Sequence, residues 1–237
     1  MARLARVVVP GLPHHVTQRG NRREPIFFED GDQRIYLDLL AEQARKARVE
    51  VWSYCLMPNH VHLILTPADE VGLGRAVGEA HRRYTGFVNA RGRWAGHLFQ
   101  ARFASVVMDE AHLMAAVRYV ALNPVRARLV ARAEDWPWSS VRAHLSGADD
   151  VLVTVRPVLD RVGRFADVLG DWNEDDVRIA ALRASETTGR PLGDPHFIGD
   201  LERQTGRKLA RRRPGPPPRD GGAATSAGEH DDLWGDG

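Results

Sequence analysis

Two histidines one residue apart carry the strongest chemical signal in the sequence. His60 and His62 stand in the run MPNHVHLIL, which spans residues 57–65. Side chains alternate between two faces in an extended strand, so both imidazoles would lie on one face of this run. Two adjacent imidazoles can bind a divalent metal ion or contact a phosphate oxygen. Positions on an ordinary solvated strand surface are the competing interpretation.

The neighbouring residues predict how the histidine pair is held in place. Residues 50–57 contain several aromatic and branched side chains and indicate a preceding strand, and Pro58-Asn59 suits a tight turn. A hairpin would therefore position the pair. The apolar face of its second strand, which we expect to face a core, consists of Val61, Leu63 and Leu65.

The segments around the hairpin predict an α+β fold. Strands are expected at 14–19, 50–57, 60–66 and about 101–108, and helices at about 31–47, about 72–90 and from about 110 onward. This order is βαββαβ followed by an extra helix. A ferredoxin-like (split βαβ) antiparallel sheet with helices packed on it accommodates the order with short connections.

The extra helix carries a second group of polar side chains. Tyr119 and Asn123 lie one helical turn apart, off the apolar stripe of this helix. A phenol and an amide placed in this way can offer a nucleophile and a metal ligand to one site. Two other interpretations stay open. In the first, Tyr119 is simply a half-buried aromatic residue. In the second, Asn123 and Pro124 begin a new helix.

Composition and charge narrow the class of protein. The chain has 237 residues, 43% of them hydrophobic, without an apolar run of membrane-spanning length or a signal peptide, so we expect a cytoplasmic protein. Cys55 is the single cysteine, which excludes an intrachain disulfide and a thiolate metal cluster. Although the net charge is only +2, basic residues cluster at 19–23, 81–83 and 203–213. Such clusters with aromatic residues nearby favour a nucleic-acid partner.

The chain divides into three parts by composition. We expect a first domain over residues 1–147 and a small helical, basic C-terminal region over 148–213. Helices in that second region are predicted at 156–170, 174–186 and about 195–210. Residues 214–237 begin with a proline-rich boundary and then contain Gly, Ser and Asp without periodicity, which predicts a disordered tail.

Three sequence motifs, taken together and in order, resemble those of one enzyme family. They are PHHVTQRGNR at 13–22, MPNHVH at 57–62 and RYVALNPVR at 118–126. The combination closely resembles the single-tyrosine HUH transposases, and specifically the REP-associated tyrosine transposases. The resemblance covers residues 8 to about 145, with a weaker similarity to about 213, and it implies a fold of the HUH endonuclease type.

The resemblance implies a metal-dependent enzyme that nicks and rejoins single-stranded DNA in transposition or related recombination. It implies that Tyr119 is the nucleophile and that His60, His62 and Asn123 bind a divalent metal, which we expect to be Mg²⁺ or Mn²⁺. The tyrosine would attack a scissile phosphate polarised by the metal, forming a 5′-phosphotyrosine link and releasing a 3′-hydroxyl. Tyr84, in an earlier helix, is the competing nucleophile, although its spacing favours packing or DNA contact.

The partner implied by the resemblance is single-stranded or hairpin DNA, such as a REP-like palindrome, and we expect neither a membrane nor a small-molecule partner. Arginines can hold phosphates or read guanine edges, and aromatic side chains can stack on unpaired bases. Phe99 and Phe103 are further stacking candidates, with core packing favoured for Phe103. The predicted DNA-binding residues are Arg19, Asn21, Arg22, Arg23, Arg82, Arg83, Trp94, Arg207, Lys208 and Arg211. A monomer and a homodimer both stay open.

Two other functions remain compatible with the sequence. One is a non-catalytic protein that binds DNA or RNA hairpins, in which Tyr119→Phe would leave activity intact. The other is a metal-dependent phosphodiesterase that uses water as the nucleophile and forms no protein adduct. Neither alternative explains why Tyr119 and Asn123 occur together with the histidine pair, so the transesterase is the leading hypothesis.

Overall fold

The computed structural model describes residues 4–170 and 177–210. Within them, a four-stranded antiparallel sheet has the strand order β2-β3-β1-β4. This order confirms the predicted ferredoxin-like α+β fold. The strands are β1 (His14–Arg19), β2 (Val49–Met57), β3 (His60–Pro67) and β4 (Ala104–Val107).

Eight α-helices accompany the sheet in the described part of the chain. A short π-helical stretch, Gly74–Gly78, leads directly into α2. The helices are α1 (Asp32–Lys46), α2 (Glu79–Gly92), α3 (Glu110–Arg126), α4 (Val141–Ser146), α5 (Arg156–Val162), α6 (Phe165–Val168), α7 (Val177–Thr188) and α8 (Pro195–Thr205). None of them is long and apolar enough to cross a membrane.

The two faces of the sheet bury different side chains, as strand alternation requires. One face packs on α1 and α2, and β3 contributes Val61, Leu63 and Leu65 to that core, as predicted. The other face packs on α3, and Ile64 of β3 belongs to that second core. His62 shares the second face, so the histidine pair is covered by α3 and does not lie on an open sheet surface.

Helix α3 begins at a side-chain cap and does not end at the Asn-Pro pair near its C-terminus. The Asp109 carboxylate accepts a hydrogen bond from the backbone N–H of His112 at 2.9 Å, which stabilises the first turn. The helix then continues through Asn123 and Pro124 to Arg126. The alternative that Asn123 and Pro124 begin a new helix is therefore wrong. Pro124 has no backbone N–H to donate to the carbonyl of Val120, and only two residues of the helix follow it.

The C-terminal helices pack on the sheet, on α3 and on the N-terminal segment. Ile179 and Leu182 of α7 join the core between the sheet and α3, and Leu201 of α8 packs beside Val7 and Val9 of the N-terminal segment.

The helix predicted over 156–170 is divided at Gly163, whose φ of +66° ends α5. The last helix is shorter than predicted, because Gly206 adopts the left-handed conformation after Thr205. Arg211 and the predicted disordered tail over 214–237 lie outside the described residues.

Candidate active site

Helix α3 places Tyr119 directly against the histidines of the sheet. Tyr119 is only 5% exposed. Its ring centroid lies 5.4 Å from that of His62 and 6.2 Å from that of His15, with both imidazole planes nearly perpendicular to the phenol ring. The predicted nucleophile and one predicted metal ligand are therefore neighbours. Tyr119 is therefore more deeply buried than the half-buried aromatic residue of the alternative interpretation.

His60 is held in one tautomer by its chain neighbour. The Nδ2 of Asn59 donates to the backbone carbonyl of Arg23 at 2.9 Å, which orients the amide so that its oxygen faces His60. That oxygen lies 2.6 Å from Nδ1 of His60. Because an amide oxygen can only accept a hydrogen bond, Nδ1 carries the hydrogen and Nε2 keeps its lone pair. Nε2 is the atom that can bind a metal ion.

His62 has a comparable partner in His15, on the adjacent strand β1. Nε2 of His15 lies 3.0 Å from Nδ1 of His62, and the two rings are stacked with centroids 5.2 Å apart. Burial lowers the pKa of His15 to about 3 and holds that of His62 well below its usual value, so both rings are neutral at pH 7. Nε2 of His62 is buried and has no hydrogen-bond partner among the described residues.

Two further polar side chains at this site have unsatisfied buried atoms. Within the part of the chain that the structure describes, Nδ2 of Asn123 and Oε1 of Glu186 lack hydrogen-bond partners. One ligand atom each of His15, His62 and Glu186 lies within 4.8 Å of the other two. Glu186 belongs to α7, and burial raises the pKa of its carboxyl to about 7 although Arg19 and Arg183 oppose the shift. The group of residues thus has the donor atoms of a metal site.

The surroundings of Tyr119 keep its hydroxyl protonated. Burial, followed by the nearby carboxylate of Glu186, raises its pKa above the usual value of 10. A hydrogen bond from Arg183 acts in the opposite direction. The guanidinium groups of Arg126 and Arg183 lie over the phenol ring, 4.9 and 5.7 Å from its centroid. These cations can stabilise negative charge that develops on the phenol oxygen during attack.

Tyr84, the competing nucleophile, lies elsewhere. Its side chain is fully buried in the core between the sheet and α1 and α2, and its hydroxyl donates to the carbonyl of Ile26 at 2.8 Å. The aromatic residues Tyr36, Phe27 and Phe87 surround it. The sequence-based interpretation of Tyr84 as a packing residue is confirmed.

The predicted DNA-binding residues occupy several places on the surface. Arg19, at the end of β1, lies 3.8 Å from Glu186 and is the member that the structure places at the tyrosine–histidine site. Asn21, Arg22 and Arg23 form an exposed turn directly after β1. On α2, Arg82 forms an ion pair with Glu79, whereas Arg83 pairs with Glu42 of α1. These two contacts are 2.6 and 2.7 Å long.

The remaining predicted DNA-binding residues differ in whether their side chains are available to contact DNA. Trp94 is 55% exposed and contacts Phe28 edge to face, so its ring is available for stacking. Arg207 donates to the backbone carbonyls of residues 5 and 6, which fixes the N-terminal segment. Lys208 is exposed after α8, and Arg211 lies outside the described residues.

Two connected clefts run from the site along the edge of the sheet. The first, of about 220 Å³, is lined by Arg19 and Glu186 among others, and the second, of about 420 Å³, by His81 and Arg82 among others. They share the residues Gln18, Ala101 and Arg102. Phe99 and Phe103 also line the second cleft, but both are at least 90% buried, which confirms the preference for core packing at Phe103.

Sequence reasoning missed His15 and Glu186. His15 stands in the first quoted motif, but its role depends on the register in which β1 pairs with β3, opposing His15 to Ile64 and Thr17 to His62. Strand alternation would have placed it on the face of His62 once that pairing was known. Glu186 is separated from β3 by more than 100 residues and stands in no motif. Only the packing of α7 against α3 and β4 brings it to the site.

The fold and the site together define a DNA-transposase domain, in which an antiparallel sheet carries histidines opposite a helix-borne tyrosine. Residues 8–123 match the family model described as "Transposase IS200 like". The matched residues are those of an IS200-like transposase, and the protein is an enzyme of the transposase class. A comparison with curated proteins found no match.

Solved structures that are similar to the chain include two transposases. One is a REP-associated tyrosine transposase bound to a REP hairpin, with 21% sequence identity and a TM-score of 0.54. The alignment covers 65% of this chain and 92% of that one, so the two proteins share a fold. The other is a candidate transposase from Deinococcus radiodurans R1, with 21% identity, 52% and 97% coverage, and a TM-score of 0.36.

Proposed function

We propose that this transposase is a metal-dependent single-stranded DNA endonuclease and strand transferase that acts on hairpin DNA through a 5′-phosphotyrosine intermediate. The observation that carries the proposal is the position of Tyr119, whose ring lies 5.4 Å from that of His62 on the buried face of the sheet. A protein that only binds hairpins would have no need of a phenol against paired imidazoles. The same geometry argues against a water-dependent phosphodiesterase.

The residues at the site fit a divalent metal ion. Asn59 fixes His60 so that Nε2 carries a lone pair, and Nε2 of His62 is buried without a partner in residues 4–170 and 177–210. Asn123 would contribute its amide Oδ1 to this ligand set, because the Nδ2 group only donates hydrogen bonds and cannot bind a cation. Mg²⁺ or Mn²⁺, when bound, would supply positive charge that polarises the scissile phosphate. An unsatisfied buried donor or acceptor is otherwise costly, about 1–3 kcal/mol each.

Tyr119 performs the bond exchange in this proposal. Its Oη forms a bond to phosphorus while the bond between phosphorus and the 3′ oxygen breaks. The phenolic proton leaves Tyr119, and the departing 3′ oxygen takes up a proton to become a free hydroxyl. Arg126 and Arg183, which lie over the ring, favour the phenolate in the transition state. The reverse attack by a second 3′-hydroxyl regenerates Tyr119 and joins two strands.

The basic residues near the site support an anionic, partly unpaired substrate. Arg19 stands at the entrance of the first cleft, and the exposed Arg22 and Arg23 follow it in the chain. Trp94 offers an exposed ring on which an unpaired base can stack. The structurally similar transposase was solved with a REP hairpin, and a hairpin substrate is proposed for this chain on that basis.

Covalent capture tests the proposal. The full chain is incubated with labelled single-stranded hairpin oligonucleotides and Mg²⁺ or Mn²⁺, then separated on a denaturing gel. A metal-dependent protein–DNA band is expected, and Tyr119→Phe and His62→Ala should both abolish it. Tyr84→Phe is the matched control, because it removes a hydroxyl from the core and should retain the band. Hairpin binding without any adduct in the wild-type protein would instead establish a non-catalytic binding protein.

A further inference from the structure

We propose that Glu186 of α7 is a carboxylate ligand of the metal ion that His62 binds. This inference rests on the proposed metal-dependent function, and it assigns to the C-terminal region a direct part in the active site. The predicted ligand set consisted of His60, His62 and the amide of Asn123, all from the first domain. Glu186 would add a negatively charged ligand that no sequence motif contains.

The first support is the distance between the donor atoms. One ligand atom of Glu186 lies within 4.8 Å of ligand atoms of both His62 and His15. Two ligands of one ion, each bonded at about 2.0–2.2 Å, lie at most about 4.4 Å apart. Small side-chain rotations are therefore enough for Glu186 and His62 to share an ion. His15 is already engaged through its Nε2 with Nδ1 of His62.

The second support is the unsatisfied state of the carboxylate. The Glu186 side chain is 14% exposed, and its Oε1 is buried without a hydrogen-bond partner from any described residue. The nearest ion pair, with Arg19, is 3.8 Å long and thus beyond hydrogen-bond distance. A buried carboxylate is retained against its desolvation cost only when a cation or hydrogen bonds compensate. A divalent ion at His62 would provide that compensation, since His62 belongs to the same cluster and its Nε2 has no hydrogen-bond partner among the described residues.

The added ligand predicts which metals the site prefers. Imidazole nitrogens together with a carboxylate suit Mn²⁺ and other transition ions, whereas Mg²⁺ prefers a shell made of oxygen ligands. We therefore expect Mn²⁺ to bind more tightly than Mg²⁺. The carboxylate also lowers the net charge beside Tyr119, where Arg19, Arg126 and Arg183 are otherwise concentrated.

Manganese binding to the full chain without DNA tests the inference, with the EPR signal of free Mn²⁺ as the readout. Glu186→Gln keeps the shape of the side chain and removes the charge, and it should weaken Mn²⁺ binding about 10- to 100-fold. Asp160→Asn is the matched control, because Asp160 is an exposed carboxylate on α5, and it should bind Mn²⁺ like the wild-type protein. His62→Ala should lose binding altogether.

Thermal unfolding separates a metal ligand from a structural ion pair. Without metal, Glu186→Gln should unfold at the same or a higher temperature than the wild-type protein, because it removes a buried charge that the 3.8 Å contact with Arg19 compensates only weakly. Saturating Mn²⁺ should raise the unfolding temperature of the wild-type protein more than that of the variant. A variant that unfolds earlier without metal and binds Mn²⁺ as tightly as the wild-type protein would overturn the inference and indicate a structural pair with Arg19.

The same experiments distinguish this inference from the proposed function. If Mn²⁺ binding and the covalent adduct both depend on His62 but not on Glu186, the inference fails and the nicking mechanism stands. If the wild-type protein binds no Mn²⁺ in the EPR titration, the inference fails, and covalent capture decides separately whether the tyrosine still reacts.

Discussion

At the scale of single residues, the two histidines of the motif are oriented by different partners that leave the same nitrogen free. The amide oxygen of Asn59 faces Nδ1 of His60, and Nε2 of His15 faces Nδ1 of His62. Partners of this kind fix the tautomer and the ring orientation of metal-binding histidines. The proposed metal site therefore depends on residues that would not contact the metal themselves.

Replacement of His15 by leucine tests this dependence. His15→Leu removes the partner of Nδ1 of His62 and leaves a buried polar atom unsatisfied, so the ring is no longer held in the metal-binding orientation. We expect Mn²⁺ affinity to fall about 10- to 100-fold, as is typical when such a partner is lost. Isothermal titration of the variant with Mn²⁺ measures the change.

His15→Gln serves as the conservative comparison. A glutamine oxygen can accept a hydrogen bond from Nδ1 of His62, so this variant should recover part of the lost affinity. Equal affinities of the leucine variant and the wild-type protein would show that His15 only fills space beneath Tyr119.

The residue scale also shows how much of the site the sequence could predict. The histidine pair and Tyr119 were recognisable because each stands in a short motif, and the structure brings Tyr119 to His62. His15 and Glu186 were not, because their proximity depends on strand register and on the docking of a distant helix. Local spacing predicts which residues share a face, whereas contacts between distant segments require the tertiary structure.

At the scale of elements, α3 holds Tyr119, the proposed nucleophile, against the sheet. Its N-terminal cap, Asp109, accepts hydrogen bonds from the backbone N–H groups of His112 and Asp194, at 2.9 and 3.0 Å. One carboxylate thus stabilises the first turn of α3 and fixes the residue that caps α8. Asp109 therefore links the start of α3 to the start of α8.

Asp109→Ala should therefore destabilise the protein without removing a catalytic group. The loss of a capping side chain typically costs about 1 kcal/mol, and the second hydrogen bond adds to this value, so we expect the free energy of unfolding to fall by about 1–2 kcal/mol. Urea denaturation measures this decrease in the free energy of unfolding. Asp109→Asn keeps an oxygen that can cap the helix and should lose less than half as much. Equal losses in both variants would indicate that the charge, rather than the cap, is what stabilises the turn.

The elements themselves were predicted well in the first half of the chain and less well in the second. Strands β1 to β3 and helix α1 begin and end within one residue of their predicted limits, because alternation and helical periodicity are strong there. The strand predicted over 101–108 is shorter, Ala104–Val107, since Ala101 has a φ of +52° that interrupts extension. In the C-terminal region, a single glycine divides one predicted helix, and periodicity alone gives no sign of such a break.

At the scale of the whole molecule, the sheet is enclosed between helices on both faces, and several histidines are buried in the protein as neutral rings. Burial lowers the pKa of His14 to about 4 and that of His81 to about 3. His81 lies outside the tyrosine–histidine site, where it stacks on Phe99 and forms a 2.9 Å hydrogen bond with the hydroxyl of Tyr36. A substitution of His81 therefore tests acid stability without changing a residue of the proposed active site.

The stability of the protein should consequently fall as the pH decreases below 6.5. In the unfolded chain a histidine takes up a proton near its ordinary pKa of about 6.5, whereas folded His81 stays neutral down to about pH 3. The unfolded state binds more protons throughout this window, so acid favours unfolding. His81→Gln removes this contribution, and between pH 6.5 and 4.5 the wild-type protein should lose about 2 kcal/mol relative to the variant.

Urea denaturation of both proteins at several pH values between 4.5 and 7.5 provides the measurement. Tyr36→Phe is the matched control, because it breaks the hydrogen bond to His81 while the buried imidazole remains. Its stability should therefore follow the pH dependence of the wild-type protein at a lower level. If the wild-type and His81→Gln curves run parallel, folded His81 accepts a proton as readily as the unfolded chain does. The second cleft, which His81 lines, would then be open enough to hydrate the imidazolium ion.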